Sequence, residues 1–159
     1  MSSVRQERQY RIRELEHRDL ADVAAIERCS YEFPWSQGVF RDCLLAGYQC
    51  LAVDYDERLA GYGILSIAAG EAHVLNLCVS QTLRGFGFGA ALLDAMIERA
   101  RLSEAERILL EVRPSNEHAI RLYERRGFAR IGSRRNYYQA VEGREDALVY
   151  ALQLIRRSL

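Results

Sequence analysis

Glu111 stands in the apolar run "RILLEV" (residues 107–112), and Tyr123 follows inside "EHAIRLYERR" (117–126). A carboxylate set among apolar strand residues is at least half-buried, and burial moves carboxyl chemistry toward proton abstraction near neutrality. A solvent-facing acid at a strand end is the bland reading of the same residue. Tyr123 shares a helix face with Ala119 and Ile120, a face that should look toward a sheet. A phenol there is either a core tyrosine with one hydrogen bond or a proton donor. The third group is "RGFGFGAALL" (84–93), where Gly85, Gly87 and Gly89 alternate and then run without a break into residues that favour helix. The first N–H groups of a helix have no intrahelical partner and carry partial positive charge, and glycines let the backbone close around an anion. Pyrophosphate fits such a loop best, with Arg84 at its mouth for a charge-assisted contact. A plain glycine-rich turn remains open for so short a motif.

A dinucleotide fingerprint competes for the same stretch, since Gly85-x-Gly87-x-x-Ala90 satisfies it and Glu111 follows at a plausible distance for a ribose-binding acid. In that fold the first glycine leaves the strand directly, whereas "SQTLR" (80–84) intervenes here, and the strands upstream are joined by turns too short for crossover helices. Too little chain remains for a doubly wound sheet.

Composition removes other classes. The 22 basic residues balance 22 acidic ones, so no global field draws the chain to nucleic acid or an anionic membrane. Every basic residue is arginine, which excludes a catalytic lysine, a Schiff base and a P-loop lysine. Cys29, Cys43, Cys50 and Cys78 form no C-x-x-C pair and lie at no metal-ligand spacing with histidine, so they read as reduced core thiols, with no metal site. The start "MSSVRQERQYRIREL" lacks the apolar stretch of a signal peptide, and no run approaches the ~20 apolar residues of a membrane span. A cytoplasmic protein without membrane or nucleic-acid partners is expected.

The elements that must position these groups follow from period. Residues 1–9 read as a flexible tail and 10–159 as a single domain. "YRIREL" (10–15) alternates as a strand, and Asp19 precedes a helical pattern through Val23, Ile26 and Cys29. Ser36 is a good N-cap for a second short helix that stops at Gly47. "QCLAVDY", "LAGYGILSIAA" and "EAHVLNLCV" form a meander of three strands. A helix from about Phe88 to Ser103, the strand "RILLEV", a helix from Glu117 to Arg126 capped by Asn116 and closed by Gly127, and two last strands at "FARIGSRRNYY" and "DALVYALQL" complete the chain. The expected class is mixed α/β (α+β): one central, mostly antiparallel sheet of about seven strands flanked by about four helices.

The series "LNLCVSQTLRGFGFGAALL", "LLEVRPSNEHAIRLYERRGF", "RRNYY" and "GREDALVYAL" resembles the GNAT acetyltransferases, and within them the bacterial ribosomal-protein-alanine N-acetyltransferases of RimI type. The glycine loop specifies the broad family, with Arg84, Gly87 and Gly89 filling its pattern; "EFPWS", "LEVRPSN" and "RRNYY" followed by "GREDA" point to the N-terminally acetylating branch. The resemblance implies a splay between the fourth and fifth strands that takes the pantetheine arm of acetyl-CoA along backbone groups of Leu77, Cys78 and Val79. It implies pyrophosphate held by Gly85, Phe86, Gly87, Phe88, Gly89 and Ala90, and a further contact from Asn116. It implies that Glu111 is the general base, acting directly or through water, and that Tyr123 protonates the departing thiolate.

Substrate recognition is expected from two aromatic segments outside the regular pattern, Phe33 and Trp35 in "YEFPWS" and Tyr137 and Tyr138 in "RRNYY". A minicore under the first loop is the alternative. Glu32, Glu145 and Asp146 are candidates for contacts with a basic peptide. The resulting expectation is direct acetyl transfer from acetyl-CoA, without an acetyl-enzyme, to the N-terminal alanine of a small-subunit ribosomal protein. A GNAT enzyme acting on lysine or a small-molecule amine, and a silent acyl-CoA-binding module, are the alternatives.

Overall fold

In the computed structural model, which describes residues 9–155, seven strands form one sheet in the order β1-β2-β3-β4-β5-β7-β6. They are β1 (Tyr10–Glu14), β2 (Gln49–Tyr55), β3 (Arg58–Ala68), β4 (Glu71–Val79), β5 (Arg107–Val112), β6 (Ala129–Gln139) and β7 (Arg144–Gln153). Four helices accompany them: α1 (Leu20–Ser30), α2 (Gln37–Leu45), α3 (Phe88–Leu102) and α4 (Glu117–Arg125). All neighbouring strands are antiparallel except β4 and β5, which are parallel and joined through α3. The expected tail falls almost wholly on residues 1–8, outside those described.

Two of the helix starts are capped by a side chain. Ser36 Oγ accepts from the Val39 N–H at 3.4 Å at the start of α2, and Asn116 Oδ1 accepts from the Ala119 N–H at 3.2 Å at the start of α4. Asp19 precedes α1 as read from sequence, but its carboxylate accepts instead from the Glu16 N–H and from Arg13, at 2.7–2.8 Å. The Arg13 guanidinium holds the Asp19 carboxyl below its ordinary range.

Two cores sit on opposite faces of the sheet. One packs Phe88, Leu92, Leu93 and Met96 of α3 and Tyr123 of α4 against Ala72, Val74, Ile108 and Leu110. The other packs Leu20 and Val23 of α1 and Phe40 and Cys43 of α2 against Tyr62, Ile64 and Cys78. β4 changes face partway along: Leu65 pairs with Val74 but Ile64 pairs with Asn76, leaving Leu75 as an inserted residue. An extra residue in a strand reverses the alternation beyond it. Ala72 and Val74 therefore face α3, and past Leu75 it is Cys78 that turns to the α1–α2 core. Cys43, Cys50 and Cys78 are buried free thiols, as expected, whereas Cys29 is exposed on α1; the helix stripe through Val23 ends before reaching it.

Candidate active site

The pairing of β4 with β5 runs from Glu71 opposite Arg107 to Val74 opposite Leu110 and ends there. The bulge at Leu75 then turns β4 away, so Glu111 occupies the first β5 position beyond the last rung while β7 still pairs with it through Val149. The expected fork between the fourth and fifth strands is present, and Glu111 lies at its base. Its side chain is 9% exposed and meets two donors from different strands. His73 Nε2 of β4 contacts Oε2, and Arg134 Nη2 of β6 lies 3.5 Å from Oε1. An ionised carboxylate only accepts, so Nε2 carries the hydrogen in this contact.

Tyr123 projects from α4 into the core on the α3 side, 7% exposed, its ring centroid 5.8 Å from that of Phe128. Burial pushes its phenol up to about 12, so it remains a neutral donor throughout the physiological range. The packing is that of a core tyrosine, and the protonation state is that of a proton donor. Tyr138 is likewise held above the ordinary phenol range, by burial first and then by the negative charge of Glu111 and by Tyr137 and Tyr123.

Leu77, Cys78 and Val79 form the β4 arm of the fork past the bulge, their backbones paired to Gly63, Tyr62 and Gly61 of β3. Val79 leads through a short 3-10 turn at Gln81–Leu83 into the glycine loop, the interruption that argued against a dinucleotide fingerprint. Gly85 and Gly87 both have φ +85°, and a β-carbon at either would meet nothing within 4 Å. Their need for glycine is therefore conformational, and the space beside them is open. Gly87 is the N-cap of α3 and contributes no side-chain oxygen, so the first-turn N–H groups of Phe88, Gly89 and Ala90 face the loop without a side-chain cap. Phe88 turns its ring into the core, with Tyr10 and Tyr55 at 5.7 and 5.3 Å, leaving only its backbone for a ligand. Phe86 is 45% exposed and stacks on Tyr55, and Arg84 is exposed at the mouth. An uncapped helix start, an open left-handed glycine turn and a strand fork in line suit an anionic ligand with a long arm, as coenzyme A has. Asn116 spends its side-chain oxygen on the α4 cap. Among the described residues no group of three or more His, Cys, Asp or Glu is arranged to hold a metal ion.

The two aromatic segments flank the fork differently. Phe33 is 43% exposed, but Trp35 is only partly exposed and packs on Phe40 at 5.3 Å, in the minicore anticipated as the alternative. Its backbone N–H donates to Glu27, a buried carboxylate that also accepts from Tyr62 (2.5 Å) and Asn76 (3.1 Å). Tyr31 at the start of this loop reaches across to donate to the Leu77 carbonyl at 3.3 Å. On the other side Tyr137 and Tyr138 meet edge to face at 4.9 Å. Asn136, at φ +53°, donates its N–H to Asp146 at 2.8 Å, where the β6–β7 register shifts. Arg134 lies over the Tyr137 ring and Arg113 over that of Tyr138.

Two expected peptide contacts are thereby reassigned. Asp146 fixes that bulge, and Glu145 accepts from Arg113 (3.2 Å) and the Ser115 N–H (3.1 Å), which hold its carboxyl below the usual range. Glu32 is exposed. Sequence reasoning missed His73, Arg134, Glu27 and Tyr31. The alternation of "EAHVL" puts His73 and Leu75 on one face, but only the parallel β4–β5 register brings Glu111 to it.

A mixed seven-stranded sheet opened at one parallel pair, with an uncapped helix start beside the opening, defines an acyltransferase-type fold. Residues 20–128 match the acetyltransferase (GNAT) family, and the chain belongs to that family. It is 35% identical over 143 residues, 90% of this chain and 97% of the relative, to the [ribosomal protein bS18]-alanine N-acetyltransferase of Escherichia coli strain K12. The crystal structure of the ribosomal-protein-S18-alanine N-acetyltransferase from Escherichia coli superposes with a TM-score of 0.88 at 33% identity, covering 94% of this chain and 97% of that one. That of Ard1 from Thermoplasma volcanium superposes with a TM-score of 0.83 at 25% identity, covering 92% and 99%.

Proposed function

We propose that this protein transfers the acetyl group of acetyl-CoA to the N-terminal α-amine of a protein, specifically the N-terminal alanine of ribosomal protein bS18. The relatives that bear this activity in their names align with nearly the whole chain, which supports the substrate. The chemistry rests on one observation: Glu111 is a nearly buried carboxylate at the base of the fork, at the first β5 position past the last β4 rung.

Acetyl-CoA supplies an activated thioester. Backbone groups of Gly85 to Ala90 bind its pyrophosphate, Leu77, Cys78 and Val79 line its arm, and Asn116 helps to hold the same ligand. Glu111 takes a proton from the substrate ammonium, whose reference pKa of about 7.7–8.0 makes it an easier target than a lysine at about 10.4. The freed amine attacks directly, since no described cysteine has a histidine beside it to make it a nucleophile. As the C–N bond forms and the C–S bond breaks, Tyr123 gives its proton to the leaving sulfur, and the proton that the new amide nitrogen sheds restores the phenol. Phe33, Trp35, Tyr137 and Tyr138 flank the peptide's first residues, with Trp35 acting through the loop it anchors.

Glu111→Gln tests the assignment, because it keeps the side chain's size and removes its basicity. Transfer to an alanine-initiated peptide should fall by about 10²–10⁴-fold while acetyl-CoA affinity, measured by calorimetry, stays close to wild type. Undiminished transfer would remove Glu111 from the chemistry.

A further inference from the structure

The His73–Glu111 contact joins the two arms of the fork. His73 belongs to the paired part of β4, opposite Leu109 of β5 and Ser66 of β3, so strands bracket it on both sides. Glu111 is two residues beyond Leu109, on the same face, at the first position without a β4 partner. A side-chain bond thus spans the gap where the backbone ladder stops. Among the described residues the carboxylate's other oxygen has the looser approach of Arg134, 3.5 Å away on an edge strand, and Arg134 is 56% exposed. His73 is 32% exposed against 56% for Arg134, so the firmer partner is the one bracketed by strands.

A carboxylate bonded at one oxygen by a fixed donor has its plane and its second oxygen set. From this geometry we infer that His73 is a positioning residue: Nε2–H holds Oε2 and so fixes the carboxylate at the open end of the β4–β5 ladder, where its remaining lone pairs meet the substrate ammonium. The inference rests on the proposed role of Glu111 as base. His73 acts through Glu111 and touches neither substrate. Arg134 yields more readily than His73, since its long side chain also rests over Tyr137.

The test is a double-mutant cycle on the full chain with acetyl-CoA and an alanine-initiated peptide, with melting temperatures read alongside. His73→Leu should fold, because the site is a half-exposed strand position, and should lower kcat about 10–100-fold with the KM for acetyl-CoA unchanged. His73→Gln, which restores an N–H donor at similar reach, should recover most of that loss. H73L combined with E111Q should be no slower than E111Q alone, because the orienting group has nothing left to orient. Wild-type kcat in H73L, or H73L and H73Q equally impaired, would overturn the positioning role while leaving Glu111 as base. E111Q at full rate would sink both assignments together, and additive losses in the double variant would show that His73 acts elsewhere.

Discussion

At the scale of single residues, the account turns on proton inventory. Tyr123 keeps its proton at neutral pH because burial pushes its phenol up to about 12. A leaving thiolate, near pKa 8.5 for a free thiol, is a weaker base than a phenolate, so the proton passes as the C–S bond breaks and charge builds on sulfur. Tyr123→Phe removes the donor and keeps the ring that packs on Phe128, and transfer should slow about 10²-fold with acetyl-CoA affinity within about twofold of wild type. Since the phenol is neutral both at pH 7 and at pH 9, the deficit should be the same at either pH. Steady-state rates of both proteins at the two values check this, and a deficit that shrinks with pH would mean that the lost proton had another origin.

At the scale of elements, the fork depends on one inserted residue and one turn. Leu75 redirects β4, and Asn76 just past it is held by the buried carboxylate of Glu27, which also accepts from the Trp35 backbone N–H; one carboxylate thus ties β4 past the bulge to the loop around Trp35. Tyr31 adds a second tie through the Leu77 carbonyl. At the far end of β4, Gly87 turns the chain into α3 with φ +85°. Gly87→Val puts a β-branched residue in the left-handed region, at a cost of order 1–3 kcal/mol, and fills the open space beside the uncapped helix start. The variant should melt lower and lose most of its acetyl-CoA affinity by calorimetry. A folded variant with unchanged affinity would move the pyrophosphate elsewhere.

At the scale of the whole molecule, local signals were legible and non-local ones were not. The short apolar run "RILLEV" became β5, its burial alternating along the strand, and Ser36, Asn116 and Gly127 mark helix ends because capping is settled within a few residues. His73 and Glu111 are 38 positions apart, and nothing in either strand alone announces their contact. Glu27 lies one turn past Val23 on the buried stripe of α1, and what makes a carboxylate tolerable there, Tyr62 and Asn76, comes from other elements; Asp146 becomes structural only when β6 bulges at Asn136.

The same distinction applies to function: the anion loop and the acid can be read locally, but the choice of acceptor depends on how two distant aromatic segments flank the fork. Tandem mass spectrometry of the product tests that choice most directly. Peptides that begin with the N-terminus of bS18 and also contain internal lysines should gain one acetyl group, on the terminal alanine, and an N-terminally blocked control should gain none. Acetyl found mainly on lysine side chains, or equally on the blocked control, would contradict the account.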